Sequence, residues 1–157
     1  MDNIICSNCK RDIDADSDFC PTCGFILIKD VKCTNHTSTD ADYVCVICSE
    51  PFCKKCGAIV SGVFLCAHHD YYEVYEGMAR VYGSSDFAQV NYIKDCLEQE
   101  SLHPFIYSRK ASPMLLGGTD YSLFRASGDF NTINEIKIMV PCAEVLSAEQ
   151  IINKLNL

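Results

Sequence analysis

Twelve side chains of metal-binding type fall in six short pairs within the first 69 residues: Cys6 and Cys9, Cys20 and Cys23, Cys33 and His36, Cys45 and Cys48, Cys53 and Cys56, and Cys66 and His69. Two residues separate the members of each pair. At that spacing both side chains can turn toward one ion, whereas a disulfide across so short a loop would be strained. Twelve donors divide without remainder into three tetrahedral sets, so this half of the chain is expected to be built around three Zn2+ ions. A closed four-donor site leaves no position for water or substrate, and such sites serve as scaffold and not as catalyst. Cys96 and Cys142 stand outside the pairs, each in an apolar pattern, and are expected to be packing residues.

With 12 Cys in 157 residues, a secreted disulfide scaffold is the competing reading. The opening segment MDNIICSNCK has no basic patch followed by an apolar stretch, and no apolar run approaches the roughly 18 residues that span a bilayer. The expectation is a soluble, cytoplasmic protein with no membrane partner. The formal net charge is -8, and ten ligand thiolates with three Zn2+ take it to about -12. Such a surface repels phosphate backbones, so nucleic acid is not the expected partner. In the first loop, KRDIDADSDF, Lys10 and Arg11 are outweighed by Asp12, Asp14, Asp16 and Asp18, and Lys54 and Lys55 form the only other basic pair among the six knuckles.

The chain is expected to divide into residues 1–29 with the first tetrad, residues 30–69 with the other eight donors, a junction at 70–77, and a domain at 78–157. The junction, DYYEVYEG, carries Tyr71, Tyr72 and Tyr75. It reads equally as a tyrosine cover between domains or as a short helical linker.

The first unit, CSNCKRDIDADSDFCPTCGF, resembles a zinc ribbon. Gly24 lets the backbone turn beneath the metal, and Phe19 can shield the site. The second unit, CTNHTSTDADYVCVICSEPFCKKCGAIVSGVFLCAHH, resembles the B-box-like double-zinc fingers. In those folds the pairing interleaves. The resemblance therefore implies one site from Cys33, His36, Cys53 and Cys56, and another from Cys45, Cys48, Cys66 and His69. The four-residue spacer SEPF supports this cross-brace, which would share a seam of Tyr43, Val44, Val46, Phe52, Val63 and Phe64. Sequential pairing, Cys33 to Cys48 and Cys53 to His69, also satisfies two ions. His69 is preferred to His68 because its spacing repeats that of the Cys33 and His36 pair. Cross-braced fingers include ubiquitin-ligase modules, for which Ile47 and Pro51 would have to face a partner; both are equally needed to pack a finger with little other core.

Beyond the junction the apolar pattern becomes that of an α+β domain. MARVYG (78–83) reads as a strand; Ser84 or Ser85 caps a helix with Phe87, Val90, Ile93 and Leu97 on one face. HPFIYS (103–108) is the next strand. The stretch RKASPMLLGGTD is a loop, followed by a short strand at 121–124. EIKIMV (135–140) alternates as a central strand facing the core with Ile136, Ile138 and Val140. Leu146, Ser147, Gln150 and Ile151 read as a capping box and staple for a last helix that buries Ile151, Ile152 and Leu155.

The segments VYGSSDFAQVNYIKDCLEQESLHPFIYS, LLGG and IKIMVPCAEVLSAEQIINKL resemble a prokaryotic family of putative signal-transducing domains, with a ferredoxin-like fold related to the PII regulators. That resemblance implies a ferredoxin-like domain, often joined to a zinc finger, and a signalling role. The approach to the last strand, residues 131–134, lacks the Trp or Pro of many such domains, and residues 98–102 lack their usual glycine. Gly117 and Gly118, near Arg109, Lys110 and Arg125, could offer amides to an anion, but a plain turn is the stronger reading.

No H-E-x-x-H, G-x-S-x-G, Walker or dinucleotide fingerprint occurs, and Cys96 with His103 spans a helix end. The chain is expected to be no enzyme but a zinc-binding adaptor or regulatory protein. Its partners are expected to be proteins, reached through the second finger, through an exposed sheet edge of the last domain, or by homodimerisation at that edge. The alternatives are a nucleic-acid-binding zinc ribbon and a ubiquitin-ligase-like or redox- or zinc-sensing module.

Overall fold

Short hairpins joined by cysteine turns have too little apolar area to hold themselves together, whereas the longer strands and helices after residue 78 can form a conventional core. The computed structural model describes residues 3–108 and 135–156. Two compact units are distinguished: Met1–Ala79 with Pro141–Leu146, and Arg80–Val140 with Ser147–Leu157.

The first unit is a set of small antiparallel ribbons. β1 (Asn3–Ile5) pairs with β2 (Asp12–Asp14) with Ile4 opposite Ile13. β3 (Tyr43–Val44) pairs with β4 (Pro51–Phe52), and β5 (Gly57–Val60) with β6 (Val63–Cys66). The β5–β6 turn has positive φ at both Ser61 (49°) and Gly62 (83°), as a two-residue hairpin turn of matching twist requires. All four residues of β6 are buried, and Phe64 and Leu65 are the largest fully buried side chains of the unit.

The first tetrad's ribbon is sewn to the second finger. Val44 donates to the Gly24 carbonyl at 2.7 Å, and Phe64 donates to the Cys23 carbonyl at 3.1 Å. Tyr43 sits between two rings, edge-on to Phe25 (5.8 Å) and stacked on Phe64 (4.9 Å). The seam expected of Tyr43, Val44, Val46, Phe52, Val63 and Phe64 is present, all six being buried, with Ile47 and Leu65 added to it.

The junction is not helical. It contains a two-residue strand, β7 (Val74–Tyr75), which turns through Glu76 (φ 48°) and Gly77 (φ 79°) into the next strand. Tyr72 is buried beneath the exposed Tyr71, the two rings stacking at 4.4 Å, while Tyr75 is also exposed.

From there the described order is β8 (Met78–Ser84), α1 (Phe87–Gln99), β9 (Phe105–Ser108), β10 (Ile136–Pro141), a 3-10 turn at Cys142–Glu144 and α2 (Val145–Lys154). Strands lie in the order β7-β8-β10-β9, with β10 antiparallel to β9 and Ile138 opposite Ile106. The strand, helix, strand, strand, helix sequence with β10 between β8 and β9 is the ferredoxin-like arrangement. Ile136, Ile138 and Val140 are buried as the alternation requires, and Val90, Ile93 and Leu97 are fully buried on α1.

Several local expectations are corrected. Asp86, and not Ser84 or Ser85, caps α1: its carboxylate accepts from the amides of Ala88 (2.9 Å) and Gln89 (3.2 Å). Ser84 instead accepts from the Asp86 amide, one step ahead of the cap. Phe87, in the first turn, is 59 % exposed and does not share the buried face. The last helix starts at Val145, so Ser147 lies within it; the buried positions are Val145 and Ala148, and Ile151, Ile152 and Leu155 are half-buried. The expected capping box fails because the 3-10 turn after Pro141 already nucleates the helix. Met139, which alternation places on the opposite face of β10, is buried as well. Cys142 is buried, whereas Cys96 is half-exposed beside Tyr92. The strand at 121–124, the LLGG loop with Gly117 and Gly118, and Arg109, Lys110 and Arg125 lie outside the described residues.

Candidate metal centres

Each knuckle is held by one backbone hydrogen bond, and the six fall into two kinds. In the first, the residue four past the leading cysteine donates back to that cysteine's carbonyl: Lys10 to Cys6 (3.0 Å), Gly24 to Cys20 (2.8 Å) and Ser49 to Cys45 (2.8 Å). All three donors are left-handed, at φ 63°, 82° and 60°. In the second, the bond closes one residue sooner: His36 to Cys33 (3.2 Å), Cys56 to Cys53 (2.9 Å) and His69 to Cys66 (2.8 Å). Both turns leave the amides between the two ligands pointing inward, where they can bond to thiolate sulfur.

The knuckles come together in three groups: Cys6, Cys9, Cys20 and Cys23; Cys33, His36, Cys53 and Cys56; and Cys45, Cys48, Cys66 and His69. The second and third interleave along the chain, so the cross-braced pairing holds and the sequential one does not. Within each group the donor atoms all lie within 4.8 Å of one another.

The spacing tests the fit to zinc. A tetrahedral ion with Zn–S bonds of about 2.3 Å has sulfur atoms about 3.8 Å apart, and a mixed sulfur–nitrogen edge is about 3.6 Å. Observed sulfur pairs are Cys6 and Cys23 at 3.8 Å, Cys9 and Cys20 at 3.7 Å, Cys33 and Cys56 at 3.7 Å, and Cys53 and Cys56 at 3.7 Å. His36 Nδ1 stands 3.6 Å from Cys53 and 3.2 Å from Cys56, and His69 Nδ1 3.6 Å from Cys45 and 3.2 Å from Cys66. A disulfide needs about 2.05 Å, and all twelve cysteines are free. These are three Zn2+ sites, with both histidines presenting Nδ1.

Electrostatics within the groups point the same way. Burial raises the Cys6 thiol, but the amides of Cys9 and Asn8 and the neighbouring thiols outweigh it and bring it down to about 7. Burial is likewise outweighed at Cys33, by the Cys53 backbone, the His36 ring and the Asn35 and His36 amides, to about 6. At Cys45 the hydrogen bond from the Cys48 thiol is the main cause of a drop to about 4, burial opposing it. Burial pushes Cys23 up to about 12 and raises Cys9, Cys56 and Cys66; Cys48 is raised first by its bond to Cys45. Each group thus holds one thiol that is lowered and at least one that is raised, and a divalent cation favours the thiolate form of both.

Cover differs from site to site. The first and third sites each expose one cysteine partly, Cys9 and Cys48, and the ring of His36 in the second is exposed. Phe25 and Leu27 pack against the cluster of Cys6, Ile13, Cys20 and Cys23, where Phe19 was the expected shield, and Asn8 donates to the Cys23 sulfur at 3.4 Å, a bond that no spacing in the sequence announces. His68 is exposed, and His69, lying against Tyr72 at 6.0 Å, takes the ligand position. Ile47 is buried in the shared seam and does not face outward as a ligase groove would need. No helix of the described residues is long and apolar enough to cross a membrane. Compared with protein-family models, with curated proteins and with solved structures, the chain finds no match.

Proposed function

We propose that this chain is a non-enzymatic adaptor or regulatory protein of the cytoplasm, whose zinc-built fingers and ferredoxin-like domain capture protein partners in signalling. The observation that carries the reading is the completeness of the three tetrads: every paired Cys and His is used, four donors to each ion, so the metals have no coordination position to offer a substrate. A resemblance of the segments around α1 and β10 to prokaryotic putative signal-transducing domains supports the signalling part. The formal net charge of -8 supports protein partners over nucleic acid.

The test uses zinc-loaded full-length protein as bait, beside the same protein stripped with chelator. Partner capture that survives nuclease and is lost with zinc supports the adaptor. Salt-sensitive binding of RNA or DNA fragments, or metal-dependent turnover of a defined substrate, overturns it.

A further inference from the structure

The three metal sites follow one plan and differ at one position. In the leading knuckle of each, the residue just before the second ligand is Asn8, Asn35 or Ile47. Its backbone amide donates in every case to the sulfur of the leading cysteine, Cys6, Cys33 or Cys45. The side chains then part ways. Asn8 Nδ2 donates across the first site to the Cys23 sulfur, 3.4 Å away, and the Asn35 side chain makes the corresponding hydrogen bond across the second site to Cys56. Ile47 is buried in the apolar seam instead.

The ligand on the far side accounts for the difference. Cys23 and Cys56 are the last ligands of their sites, whereas the third site ends in His69, which has no sulfur to receive such a bond. A leading thiolate is served by the amides of its own knuckle. A closing cysteine comes after those amides in the chain, and the asparagine of the facing knuckle brings a donor to it.

Neither backbone geometry nor packing calls for asparagine at these two positions. Asn8 and Asn35 are not among the residues with positive φ, the conformation for which asparagine is most often chosen in turns. Their knuckles are of different kinds, one closed by the Lys10 amide and the other a residue sooner by that of His36. Both asparagines are exposed, so they fill no core. What they share is the place of the sulfur they reach.

We infer that Asn8 and Asn35 are positioning residues of the metal centres, each tying the first ligand of its site to the last and lowering the nucleophilicity of that last sulfur, Cys23 or Cys56. A zinc-bound thiolate has no proton to give, so the amide must present its NH2 group, and the bond is charge-assisted. Sulfur electron density engaged in that bond is less available to an electrophile.

The experiment uses the zinc-loaded full chain with Asn8→Leu, which keeps the size and removes the donor, and with Asn8→Asp, which keeps the shape and sets a carboxylate against the sulfur. Zinc content is measured first. Iodoacetamide then alkylates the folded proteins, the rate at each cysteine being read by peptide mass spectrometry, while a chromophoric chelator competes for the ions in a parallel titration. Cys23 is expected to react several times faster than in the wild-type chain, and one site of the three is expected to lose roughly 10–100-fold in zinc affinity. Asn35→Leu repeats the test at Cys56, in a site with one thiolate fewer. With Co2+ in place of zinc, the thiolate-to-cobalt charge-transfer band of each variant should move to longer wavelength, because a sulfur without its donor gives up electron density more readily. A rise in alkylation spread evenly over all the cysteines of a site shows general loosening and overturns the inference. Rates, affinity and band position unchanged from the wild-type chain overturn it as well.

Discussion

Replacing Gly24 by alanine should cost far more than replacing Gly62, although both glycines are left-handed, at φ +82° and +83°. At either site a Cβ in that conformation costs about 1–2 kcal/mol. Around Gly62 nothing lies within 4 Å of the added methyl, so Gly62→Ala should show that strain alone. At Gly24 the methyl would fall well inside 3.0 Å of the Val44 carbonyl oxygen, with the Val44 carbonyl carbon at 3.3 Å and Phe64 Cβ at 3.4 Å. Backbone has to move, and the bond it strains is the one from the Val44 amide to the Gly24 carbonyl, 2.7 Å long, that joins ribbon to finger. Losing that bond with one partner left buried adds about 1–3 kcal/mol. The expected penalties are therefore about 2–5 kcal/mol for Gly24→Ala and 1–2 kcal/mol for Gly62→Ala. Urea unfolding of the zinc-loaded proteins, followed by tyrosine fluorescence, measures both, with zinc content determined beforehand to show that all three sites are filled. Equal penalties, within about 0.5 kcal/mol, would show that the ribbon does not lean on the finger at this point.

Native mass spectrometry of the untreated protein should find three zincs per chain, with Cys6→Ser retaining two and Cys33→Ser or Cys45→Ser retaining close to one, because the second and third sites share one seam. A chain that keeps two ions after Cys33→Ser would show independent sites. Zinc uptake should release protons: burial holds Cys23 at about 12 and raises Cys56 and Cys66 above the ordinary thiol value, so without metal these thiols are protonated at neutral pH and the ion must displace their protons. Titration in dilute buffer at about pH 7.5 should register more than one proton per ion, and conversely acid should strip the metal; release of less than one proton contradicts the burial argument. Asp86→Ala should destabilise the α+β domain by about 1 kcal/mol through the loss of two amide bonds at the start of α1, whereas Ser85→Ala should be close to neutral. Comparable losses from both would restore Ser85 to the cap.

The metal donors were legible because ligand spacing is a local property, and two residues between donors define a knuckle wherever it sits. Which knuckles share an ion is not local. Interleaving was implied by likeness to a known finger and supported by the SEPF spacer, but the donor distances decide it. Gly24 announced its left-handed turn, whereas Lys10 and Ser49 adopt the same turn with no residue signal, because the bond back to the leading cysteine imposes it. In the α+β domain, alternation located Ile136, Ile138 and Val140, and helical spacing located Val90, Ile93 and Leu97. Ends were less readable. The sequence offered Ser84 or Ser85 as the cap of α1, and the structure gives the place to the next residue, Asp86, whose carboxylate reaches two amides. The strand within the junction was hidden because two residues are too few to show a period.

Interleaving also bears on the order in which the protein is made and metallated. As the chain emerges during synthesis, the first tetrad is complete at Cys23, the next not until Cys56, and the last only at His69, with residues 45–56 belonging to the spans of both later sites. Closing either of these spans pins that common stretch, so the ion that arrives second meets a chain whose freedom has already been reduced and gives up less entropy on binding. Uptake at the two crossed sites is then expected to be all-or-none, with half-loaded chains scarce. Below the threshold zinc supply the finger stays open, with its seam of tyrosine, valine and phenylalanine available to chaperones and proteases, so zinc supply would set how many copies of the protein survive.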